Sequence, residues 1–515
     1  MRELLKKHAL FLLFLPLLTV LVYGNSLNNS WHFDDIPTIL ENENIRSLSN
    51  VGRFFTDPRA FSSHPDTAGV IYRPLLLLGY AFTYKVAQYD LPTWHAIQMC
   101  LHCFCALIVF FLALQLTQCR NSALFAASLF IVHPIQSQGV NYLSSRSELQ
   151  VSLFFLLSFF CWLQYRTQEK HKGLWFLSLL FALFALLTKS IAVVIPFAFL
   201  LWELWLGPDR DSLRKCLLRI LPFVVLVIFF LLLRKLLIGA VLFPKSARGF
   251  DILRLTEDAS GQGAAQFLGG RSILTNLKQQ GVAICRYFSL LLYPKGLSIV
   301  HYISAEVSAL PALFILVLVG LSLALRKRAP LHSFALLFFF GLLAPTTLIP
   351  LNLVMNEHRI YLAVSTLFIA FAHLVCSQKR VKPIIPALLI IILCSFLTRA
   401  RNKDWRTSLT LFEKAVKVAP KARYVNYEYG YALLKEGFVE DGLTAMEEEA
   451  RLFTHHKAPF WAAIANLHVK QGNLKKAQYF INEAFRRDKE CPEAKKAQSH
   501  LERRRLLERK RREER

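Results

Sequence analysis

The stretch ALFLLFLPLLTVLVYGNSLNNSWHFDD, residues 9–35, joins an apolar run to a polar segment that ends in two adjacent carboxylates. The run follows a basic N-terminal cluster and is long enough to begin a membrane span. A cleaved signal peptide has a small-residue cleavage pattern, which is lacking before NSLNNSWHF, and many comparable apolar runs follow. We therefore expect residues 8–23 to be the first of several spans, with Asp34 and Asp35 at the membrane surface.

The composition of the 515 residues is that of a membrane protein. Hydrophobic residues make up 54% of the chain, which contains 42 Phe and has a positive mean hydropathy. Such a composition excludes an ordinary soluble protein of this length. The formal net charge of +26 does not indicate nucleic-acid binding, because the basic residues cluster in short links between apolar runs. That is the pattern of the positive-inside rule, in which basic links stay cytoplasmic.

Apolar runs of about 20 residues predict an all-α, polytopic fold with about eleven transmembrane helices. The predicted spans are 8–23, 95–117, 122–138, 148–165, 174–188, 190–206, 216–235, 309–325, 331–349, 359–376 and 384–399. The run at 72–90 is apolar but contains Arg73, Tyr80 and Lys85, so we predict an interfacial helix there, and likewise at 291–302. With eleven spans, every basic link falls on the cytoplasmic side.

The same topology brings polar residues from distant segments to the extracytoplasmic face, as an active site requires. The residues predicted on that face are Asp34, Asp35, Arg73, His133, Arg146, Glu148, Lys189, the loop 236–280, Glu357, His358 and Arg359. Ionisable groups at membrane depth are costly unless they face a wet cavity or partners. These residues are therefore candidates for the functional site.

The acidic pair supplies two different candidates. Neighbouring side chains diverge by about 100° in a helix and by nearly 180° in a strand, so Asp34 and Asp35 cannot share one role. One carboxylate is a candidate general base for an acceptor hydroxyl, while the other would orient a ligand, hold a cation or cap a helix. Pro37, just after the pair, is typical of a helix start. A simple capping pair therefore remains an alternative.

The stretch VHPIQSQGVNYLSSRSELQ, residues 132–150, interrupts the apolar runs with His133, Arg146 and Glu148. These residues are candidates for contact with the ligand. Alternatively, Arg146 and Glu148 pair with other groups and stabilise a helix end. Lys189, in LLTKSIAVVIP, either binds an anionic ligand or snorkels to the membrane surface.

The stretch MNEHRIYLAVS predicts a helix capped by Asn356, with Glu357, His358 and Arg359 in its first turn. The helix N-terminus and Arg359 would then hold one phosphate together. The structural alternative is that Glu357 pairs with Arg359 or Arg73. His358 by itself is weak evidence for a site.

The ten cysteines form no spaced extracellular framework. Most lie in or beside apolar runs, where Cys usually behaves as a small buried hydrophobe. The motif CLHC, Cys100–Cys103, has the spacing of a zinc site but lacks a second ligand pair. We therefore expect no metal at this motif.

Beyond about Trp405 the chain becomes charged, Ala-rich and helical, with a period of about 34 residues. FWAAIANLHVKQGNLKKAQYFINEAFRRDKECP resembles a tetratricopeptide repeat. VNYEYGYALLKEGFVEDGLTAMEEEA is a looser copy, with Gly442 where a small Ala is usual, and DWRTSLTLFEKAVKVAP resembles a preceding half-repeat. Such repeats either present a concave surface to a peptide or protein segment or form a rigid cap on the membrane domain.

These patterns divide the chain into three parts. A polytopic membrane domain is predicted at 1–400, with its first extracytoplasmic loop at 24–94. A repeat domain follows at 401–500, also extracytoplasmic. The basic tail at 501–515 is predicted to be a solvated or lipid-facing helix.

The order of the motifs resembles the TMTC family of transmembrane and tetratricopeptide-containing protein O-mannosyltransferases and their bacterial relatives, within the GT-C membrane glycosyltransferases. The motifs that carry the resemblance are the N-terminal span, the acidic pair in a large first outer loop, YRPL, HPIQSQGVNYLSSRSELQ, EHRIYL and the terminal repeats. The resemblance covers nearly the whole chain. With roughly two and a half repeats, however, the chain has fewer than the animal members, so the acceptor need not be the same.

The resemblance implies an enzyme that uses a lipid-linked sugar phosphate and an acidic residue of the first outer loop. It implies Asp34 as the base, Asp35 as its partner, and Arg73, Arg146 and Arg359 at the donor phosphate or the pocket walls. The donor would be a polyprenyl- or dolichyl-phosphate sugar, with mannose or a similar hexose moved to a hydroxyl, such as that of Ser or Thr in a protein. A leaving monophosphate needs less metal assistance than a diphosphate, so we expect no divalent metal.

Two other functions fit the sequence. A GT-C enzyme of this type would also be able to glycosylate an envelope glycan or a lipid. A non-enzymatic membrane scaffold would use the repeats to dock a partner and the acidic pair as helix caps. In each case we expect a bacterial inner membrane or a membrane of the endoplasmic reticulum type, with membrane lipids and no nucleic acid as partners.

Overall fold

A computed structural model describes residues 2–64, 69–167, 171–208, 212–239, 272–304, 306–351, 353–377, 384–453 and 456–514. Within these ranges the regular structure is helical and contains no β-strand, which confirms the predicted all-α class. The chain divides into two compact units. The membrane unit comprises Met1–Leu297 with Ile303–Thr407, and the repeat unit comprises Ser298–Tyr302 with Ser408–Arg515.

The membrane unit is built from apolar helices joined by short turns. Its α-helices are α1 Arg2–Tyr23, α2 Val51–Thr56, α3 Pro74–Ala87, α4 Leu91–Thr117, α5 Arg120–Val132, α6 Ser137–Asn141, α7 Arg146–Thr167, α8 Lys172–Thr188, α9 Ile195–Trp205, α10 Leu213–Ile238, α11 Ile273–Leu292, α12 Leu310–Ala324, α13 Pro330–Leu348, α14 Val364–Cys376 and α15 Ile384–Asn402. Tight 3₁₀ turns precede α6, α9 and α14.

Each of the eleven predicted spans falls on an apolar helix, but the helices differ in length. In the described part of the chain, five are long and apolar enough to cross a bilayer: Leu91–Thr117, Leu143–Thr167, Leu213–Ile238, Pro330–Leu348 and Ile384–Trp405. A sixth is formed if the pair Arg120–Val132 and Pro134–Asn141, bent by 50°, is one span. The others are shorter apolar helices. The protein is therefore a multi-pass membrane protein, and the count of eleven stays a prediction.

The packing of these helices separates an aromatic core from a lipid-facing surface. In the core, Phe199 packs against Trp162 and Phe223, with ring centroids 5.7 and 4.8 Å away. Large apolar side chains on the outer helices, such as Phe229 and Phe396, are exposed instead. An exposed apolar surface of this extent is expected to face lipid.

One prediction was wrong, and one helix of the membrane unit was not predicted. The segment predicted as an interfacial helix at 291–302 is not helical after Leu292. Helix α11 was missed, because it is amphipathic and lacks a continuous apolar run. Its buried Asn276 and Gln280 donate hydrogen bonds to the carbonyls of Thr347 and Val354, at 2.7 and 3.0 Å. The predicted interfacial run at 72–90 is α3, a helix of 14 residues.

In the repeat unit, the helices are α16 Ser408–Val418, α17 Val425–Lys435, α18 Val439–Leu452, α19 Ala458–Gln471, α20 Leu474–Arg487 and α21 Pro492–Glu513. The two repeats predicted from sequence each form a pair of helices, α17 with α18 and α19 with α20. The basic tail predicted at 501–515 is not a separate element, since α21 begins at Pro492 and continues through it to Glu513.

The unusual glycine of the first repeat has a packing reason. A Cβ added at Gly442 would lie 2.8 Å from the carbonyl oxygen of Gly430, and one added at Gly430 would lie 2.6 Å from that of Gly442. Real Cβ atoms do not approach backbone oxygens this closely. Helices α17 and α18 therefore cross backbone to backbone at these two glycines.

Candidate functional site

The acidic pair lies in the loop after α1, at a tight turn. Phe33, immediately before the pair, has φ of 46°, a left-handed conformation that is strained for a bulky residue. The backbone N–H of Asp35 donates to the carbonyl of His32 at 2.9 Å, and a single helical turn, Ile36–Leu40, follows. This turn sends the side chains of Asp34 and Asp35 in different directions.

Asp35 is fully buried and anchors the loop. Its Oδ1 accepts hydrogen bonds from the Ser144 N–H at 2.7 Å and the Ser144 hydroxyl at 2.6 Å, while its Oδ2 accepts one from the His32 N–H at 2.9 Å. Burial raises the pKa of Asp35 to about 7, although the bonds from Ser144 and His32 act in the opposite direction. Its side chain does not cap the turn Ile36–Leu40, so the capping alternative is wrong for Asp35.

Asp34 is exposed, unlike its neighbour. Its backbone N–H donates to the Tyr142 hydroxyl at 3.0 Å, and the side chains of Asp34 and Tyr142 are also hydrogen-bonded. The protein atoms around Asp34 partly desolvate its carboxylate and raise its pKa, while the Tyr142 hydrogen bond and the charge of Arg73 oppose this rise. Asp34 is thus the carboxylate of the pair that is accessible to a substrate.

Asp34 belongs to a group of ionisable residues that the fold brings together from five segments. We call this group the polar cluster; its members are Asp34, Arg73, Glu148, Lys189, His358 and Arg359. Arg73 interacts electrostatically with both Asp34 and Glu148. Glu148 forms an ion pair with Lys189 and lies 3.9 Å from His358 Nε2. Lys189 in turn is close enough to Arg359 for their charges to repel.

Two cations of the polar cluster differ in how they are held. The guanidinium of Arg73 lies over the Phe61 ring, 5.5 Å from its centroid, and forms no ion pair with another of the described residues. Arg359 donates from one terminal nitrogen to the carbonyls of Leu353 and Val354, at 2.8 and 3.0 Å. Arg73 therefore has few contacts that stabilise the fold. Arg359, in contrast, also holds the backbone at Leu353 and Val354 in place.

The segment around Arg359 differs from the predicted capped helix. A 3₁₀ turn, Glu357–Ile360, stands there, and the Asn356 side chain does not cap it. Instead, the Asn356 backbone is held by Tyr287, whose hydroxyl donates to its carbonyl at 2.7 Å. Burial and the nearby Lys189 keep the pKa of His358 well below its usual range. The predicted helix capped by Asn356 is therefore wrong, and phosphate binding by Arg359 stays a prediction.

Arg146 lies outside the polar cluster. It is 1% exposed, and its guanidinium stacks over Trp94, 4.7 Å from the ring centroid. It donates to the Gln98 side chain at 3.0 Å and to the Thr83 hydroxyl at 2.8 Å. These contacts support the structural alternative for Arg146, and its predicted place at the donor phosphate is wrong.

His133 and Glu357 are also buried away from solvent. The Ile135 N–H donates to His133 Nδ1 at 3.2 Å, and His133 Nε2 is 3.0 Å from the carbonyl of Leu291. Nδ1 is thus the acceptor and Nε2 the donor, which leaves His133 no free ring nitrogen for a ligand. Glu357 is 0% exposed and is near enough to Tyr287 for an electrostatic interaction.

The sequence did not single out Tyr142, Ser144, Arg234 or Tyr287. Tyr142 and Ser144 hold the acidic pair, Tyr287 holds the Asn356 segment, and Arg234, near the end of α10, lies close enough to Arg73 for charge repulsion. The available signal for Arg234 was its position at the end of an apolar run that the predicted topology places on the same side as the acidic pair. Within the described ranges, no three His, Cys, Asp or Glu side chains are placed to hold a metal ion.

No protein-family model matches the chain. Its sequence is 31% identical to the Drosophila melanogaster protein O-mannosyl-transferase Tmtc1 over 183 residues, which are 34% of this chain and 20% of the relative. It is 29% identical to human TMTC3 over 138 residues, 27% of this chain and 15% of the relative. In these segments the chain is similar to the TMTC proteins. This confirms the resemblance that the order of the motifs indicated.

Another TMTC relative is matched over more of its length. A Caenorhabditis elegans protein O-mannosyl-transferase is 22% identical over 457 residues, which are 84% of this chain and 61% of the relative. In each of these three cases the chain spans less than two thirds of the relative's length.

Among solved structures, the Archaeoglobus fulgidus oligosaccharyltransferase in its apo form is similar over 77% of this chain and 56% of its own, with 13% identity and a TM-score of 0.41. The enzyme AglB from the same organism, in complex with an inhibitory peptide and a dolichol-phosphate, has 14% identity and the same TM-score, over 78% of this chain and 56% of its own. These likenesses are weak, and the all-helical membrane architecture rests on the helices described above.

Proposed function

We propose that this chain is a membrane glycosyltransferase that moves a sugar from a polyprenyl-phosphate donor to a hydroxyl acceptor. The observation that carries the proposal is the polar cluster, in which the accessible carboxylate of Asp34 lies beside the cation Arg73. A transferase of this kind needs a base for the acceptor and positive charge for the leaving phosphate.

The charge of the region suits an anionic ligand. In the polar cluster the cations Arg73, Lys189 and Arg359 outnumber the carboxylates Asp34 and Glu148. Lys189 is already paired with Glu148, so Arg73 and Arg359 are the better candidates for the phosphate. Arginine suits this task, because its planar guanidinium binds two phosphate oxygens at once.

The proposed reaction is a single displacement at the anomeric carbon of the sugar. The acceptor oxygen attacks from the face opposite the lipid phosphate, and its proton passes to the Asp34 carboxylate. A new bond forms between the acceptor oxygen and the anomeric carbon as the bond to the phosphate oxygen breaks. The lipid phosphate leaves with the electron pair, stabilised by Arg73 and Arg359. The anomeric configuration is inverted.

The electrostatics of Asp34 suit a general base. A base works best when its pKa lies near the operating pH, and the surrounding protein raises the pKa of Asp34 above its ordinary value. Asp35 is not accessible and is held by three hydrogen bonds. We therefore assign the base to Asp34 and a supporting role to Asp35.

The names of the relatives support a finer statement about substrates. They are called protein O-mannosyl-transferases, which favours mannose as the sugar and a Ser or Thr hydroxyl of a protein as the acceptor. The repeat unit is then a candidate surface for the acceptor protein. We propose that the reaction takes place on the extracytoplasmic side, because linkage to a polyprenyl phosphate allows the donor sugar to cross the membrane.

The test is single-turnover transfer from synthetic polyprenyl-phosphate mannose to a Ser/Thr-rich protein by purified enzyme. Asp34→Asn keeps the size of the side chain but cannot accept the proton, so transfer should fall by about 10² to 10⁴-fold. Glu43→Gln is the matched control, since Glu43 is an acidic residue of the same loop with 83% of its side chain exposed. Its transfer rate should equal that of the wild type.

The same assay distinguishes the other functions. A wild-type rate for Asp34→Asn would remove Asp34 as the base. Transfer to a glycan or lipid, with no transfer to protein, would favour the glycan- or lipid-directed enzyme. No transfer to any acceptor would favour the scaffold. We expect the reaction to continue in the presence of EDTA, because the scheme uses no metal.

A further inference from the structure

Tyr142 is a buried tyrosine whose only side-chain polar atom is directed to the acidic pair. Its side chain is 5% exposed, and its hydroxyl accepts a hydrogen bond from the Asp34 N–H at 3.0 Å. A tyrosine hydroxyl accepts through its lone pairs and donates through one proton. The proton is thus available to the Asp34 carboxylate, in agreement with the side-chain hydrogen bond between the two residues.

The backbone of Tyr142 is fixed on both sides. Its N–H donates to the Gln138 carbonyl at 3.2 Å, and its carbonyl accepts from the Ser145 N–H at 3.0 Å and from the Gln98 amide at 3.3 Å. Two residues further on, Ser144 holds Asp35. One short segment, Tyr142–Ser144, therefore contacts both members of the acidic pair and holds them in different ways.

The ring of Tyr142 is held from a third side by Trp405. The two rings stack with centroids 5.9 Å apart and planes inclined by 26°. Trp405 is fully buried, and its carbonyl is 2.7 Å from His32 Nε2. The His32 N–H in turn donates to Asp35. Tyr142, Trp405 and His32 thus form a chain of contacts that links Asp34 to Asp35.

We propose that Tyr142 is a positioning residue that orients the Asp34 carboxylate and stabilises its ionised form, with Trp405 keeping the tyrosine ring in place. The proposal deepens the proposed function and rests on it for the identity of the base. Tyr142 does not contact the substrate in this scheme. It acts through Asp34 in two ways. Its hydroxyl donates a hydrogen bond to the Asp34 carboxylate in the ground state, and it accepts one from the Asp34 N–H, which fixes the backbone of Asp34.

The test uses the full-length enzyme and the variant Tyr142→Phe, which keeps the ring but removes the hydroxyl. A hydrogen bond to an ionised group favours that form, so its loss should raise the pKa of the base. The acidic limb of the pH–rate profile for mannose transfer should therefore move up by about one pH unit. The KM for the polyprenyl-phosphate mannose should not change, because Tyr142 does not touch the donor.

The matched control is Tyr23→Phe. Tyr23 is also fully buried, and its hydroxyl has no hydrogen-bond partner among the described residues. Its pH–rate profile should superimpose on that of the wild type. A second variant, Trp405→Leu, removes the stacking partner but leaves the tyrosine hydroxyl, and it should shift the profile in the same direction as Tyr142→Phe by a smaller amount.

A second measurement does not depend on activity. Infrared spectra of ¹³C-aspartate-labelled enzyme are recorded as a function of pH. Subtracting the spectra of Asp34→Asn leaves the signal of the Asp34 carboxyl. Its midpoint should be higher in Tyr142→Phe than in the wild type. Equal midpoints in the two proteins, or an equal shift in Tyr23→Phe, would overturn the positioning role. Absence of sugar transfer by the wild type would count against the proposed function alone, because the titration tests Tyr142 without substrate.

Discussion

Asp35 and Ser144 are joined by two hydrogen bonds to a single carboxylate oxygen, one from the backbone N–H at 2.7 Å and one from the hydroxyl at 2.6 Å. The two residues are 109 positions apart in the chain. The bond therefore ties the loop after α1 to the segment before α7. Because Asp35 is fully buried, this contact helps to fix the position of the neighbouring Asp34.

We expect Ser144→Ala to lower the free energy of unfolding by about 1 to 3 kcal/mol, since it removes one donor to a buried carboxylate. The measurement is thermal unfolding of the purified protein in detergent. Ser49→Ala is the control, because Ser49 is an exposed residue of the same loop, and its stability should match that of the wild type. Equal melting temperatures for Ser144→Ala and wild type would show that the contact does not stabilise the loop.

The stability of the protein should depend on pH through Asp35. Burial raises the pKa of Asp35 to about 7, from an ordinary value of 3.8, so the folded state binds a proton that the unfolded state releases. The resulting stabilisation is fully present below about pH 4 and is lost as the pH rises through about 7. Asp35→Asn cannot titrate and should lack this decline. Melting temperatures between pH 4.5 and 7.5 test this, and identical slopes for the two proteins would exclude Asp35 as the cause.

The sequence was most informative where hydrophobicity or charge alone determines where a segment lies relative to the membrane. Apolar runs marked the helices because lipid-facing and core residues are both apolar. Basic links then predicted that Asp34, Lys189 and Arg359 share one face, and these residues do lie in one polar cluster. The prediction misplaced Arg146, because the sequence does not distinguish a polar residue that faces a ligand from one that faces a buried partner. Only the packing of α3 and α4 puts Thr83 and Gln98 beside it.

Replacing Arg73 should change donor binding without changing stability, whereas replacing Arg359 should change both. It forms no ion pair within the described residues, so Arg73→Gln should weaken binding of polyprenyl-phosphate mannose by about 10 to 100-fold, the loss of one charge-assisted contact. Stability should change little. Arg53→Gln, an exposed arginine paired with Asp57 in the same loop, is the control. Unchanged donor affinity in folded Arg73→Gln would move the phosphate elsewhere.

Arg359→Ala should weaken donor binding and also loosen its loop, because Arg359 holds the carbonyls of Leu353 and Val354. Arg359→Lys keeps the charge but not the planar fork, so it should recover only part of the donor affinity. The assays are equilibrium binding of the fluorescent donor and thermal unfolding. A fall in stability without any fall in affinity would make Arg359 structural only.

Arg146 should behave in the opposite way. Arg146→Lys retains a cation, but an ammonium group cannot reach both Gln98 and Thr83 while stacking on Trp94. We expect the free energy of unfolding to fall by about 1 to 3 kcal/mol, with donor affinity of the folded protein unchanged. Binding titrations and thermal unfolding on the same sample separate the two effects. A loss of affinity at full stability would return Arg146 to the donor site.

The loop that carries the acidic pair and the repeat unit should lie on the same, non-cytoplasmic side, as the distribution of basic links indicates. Single cysteines at Ser49 and Ser499 test this in intact cells, because both serines are exposed and a membrane-impermeant maleimide reaches only outward-facing thiols. The native cysteines are first replaced by serine or alanine. We expect both positions to be labelled before the cells are opened. Labelling of one position only after permeabilisation would require an additional or a missing span between Ser49 and Ser499, and would exclude the eleven-span topology.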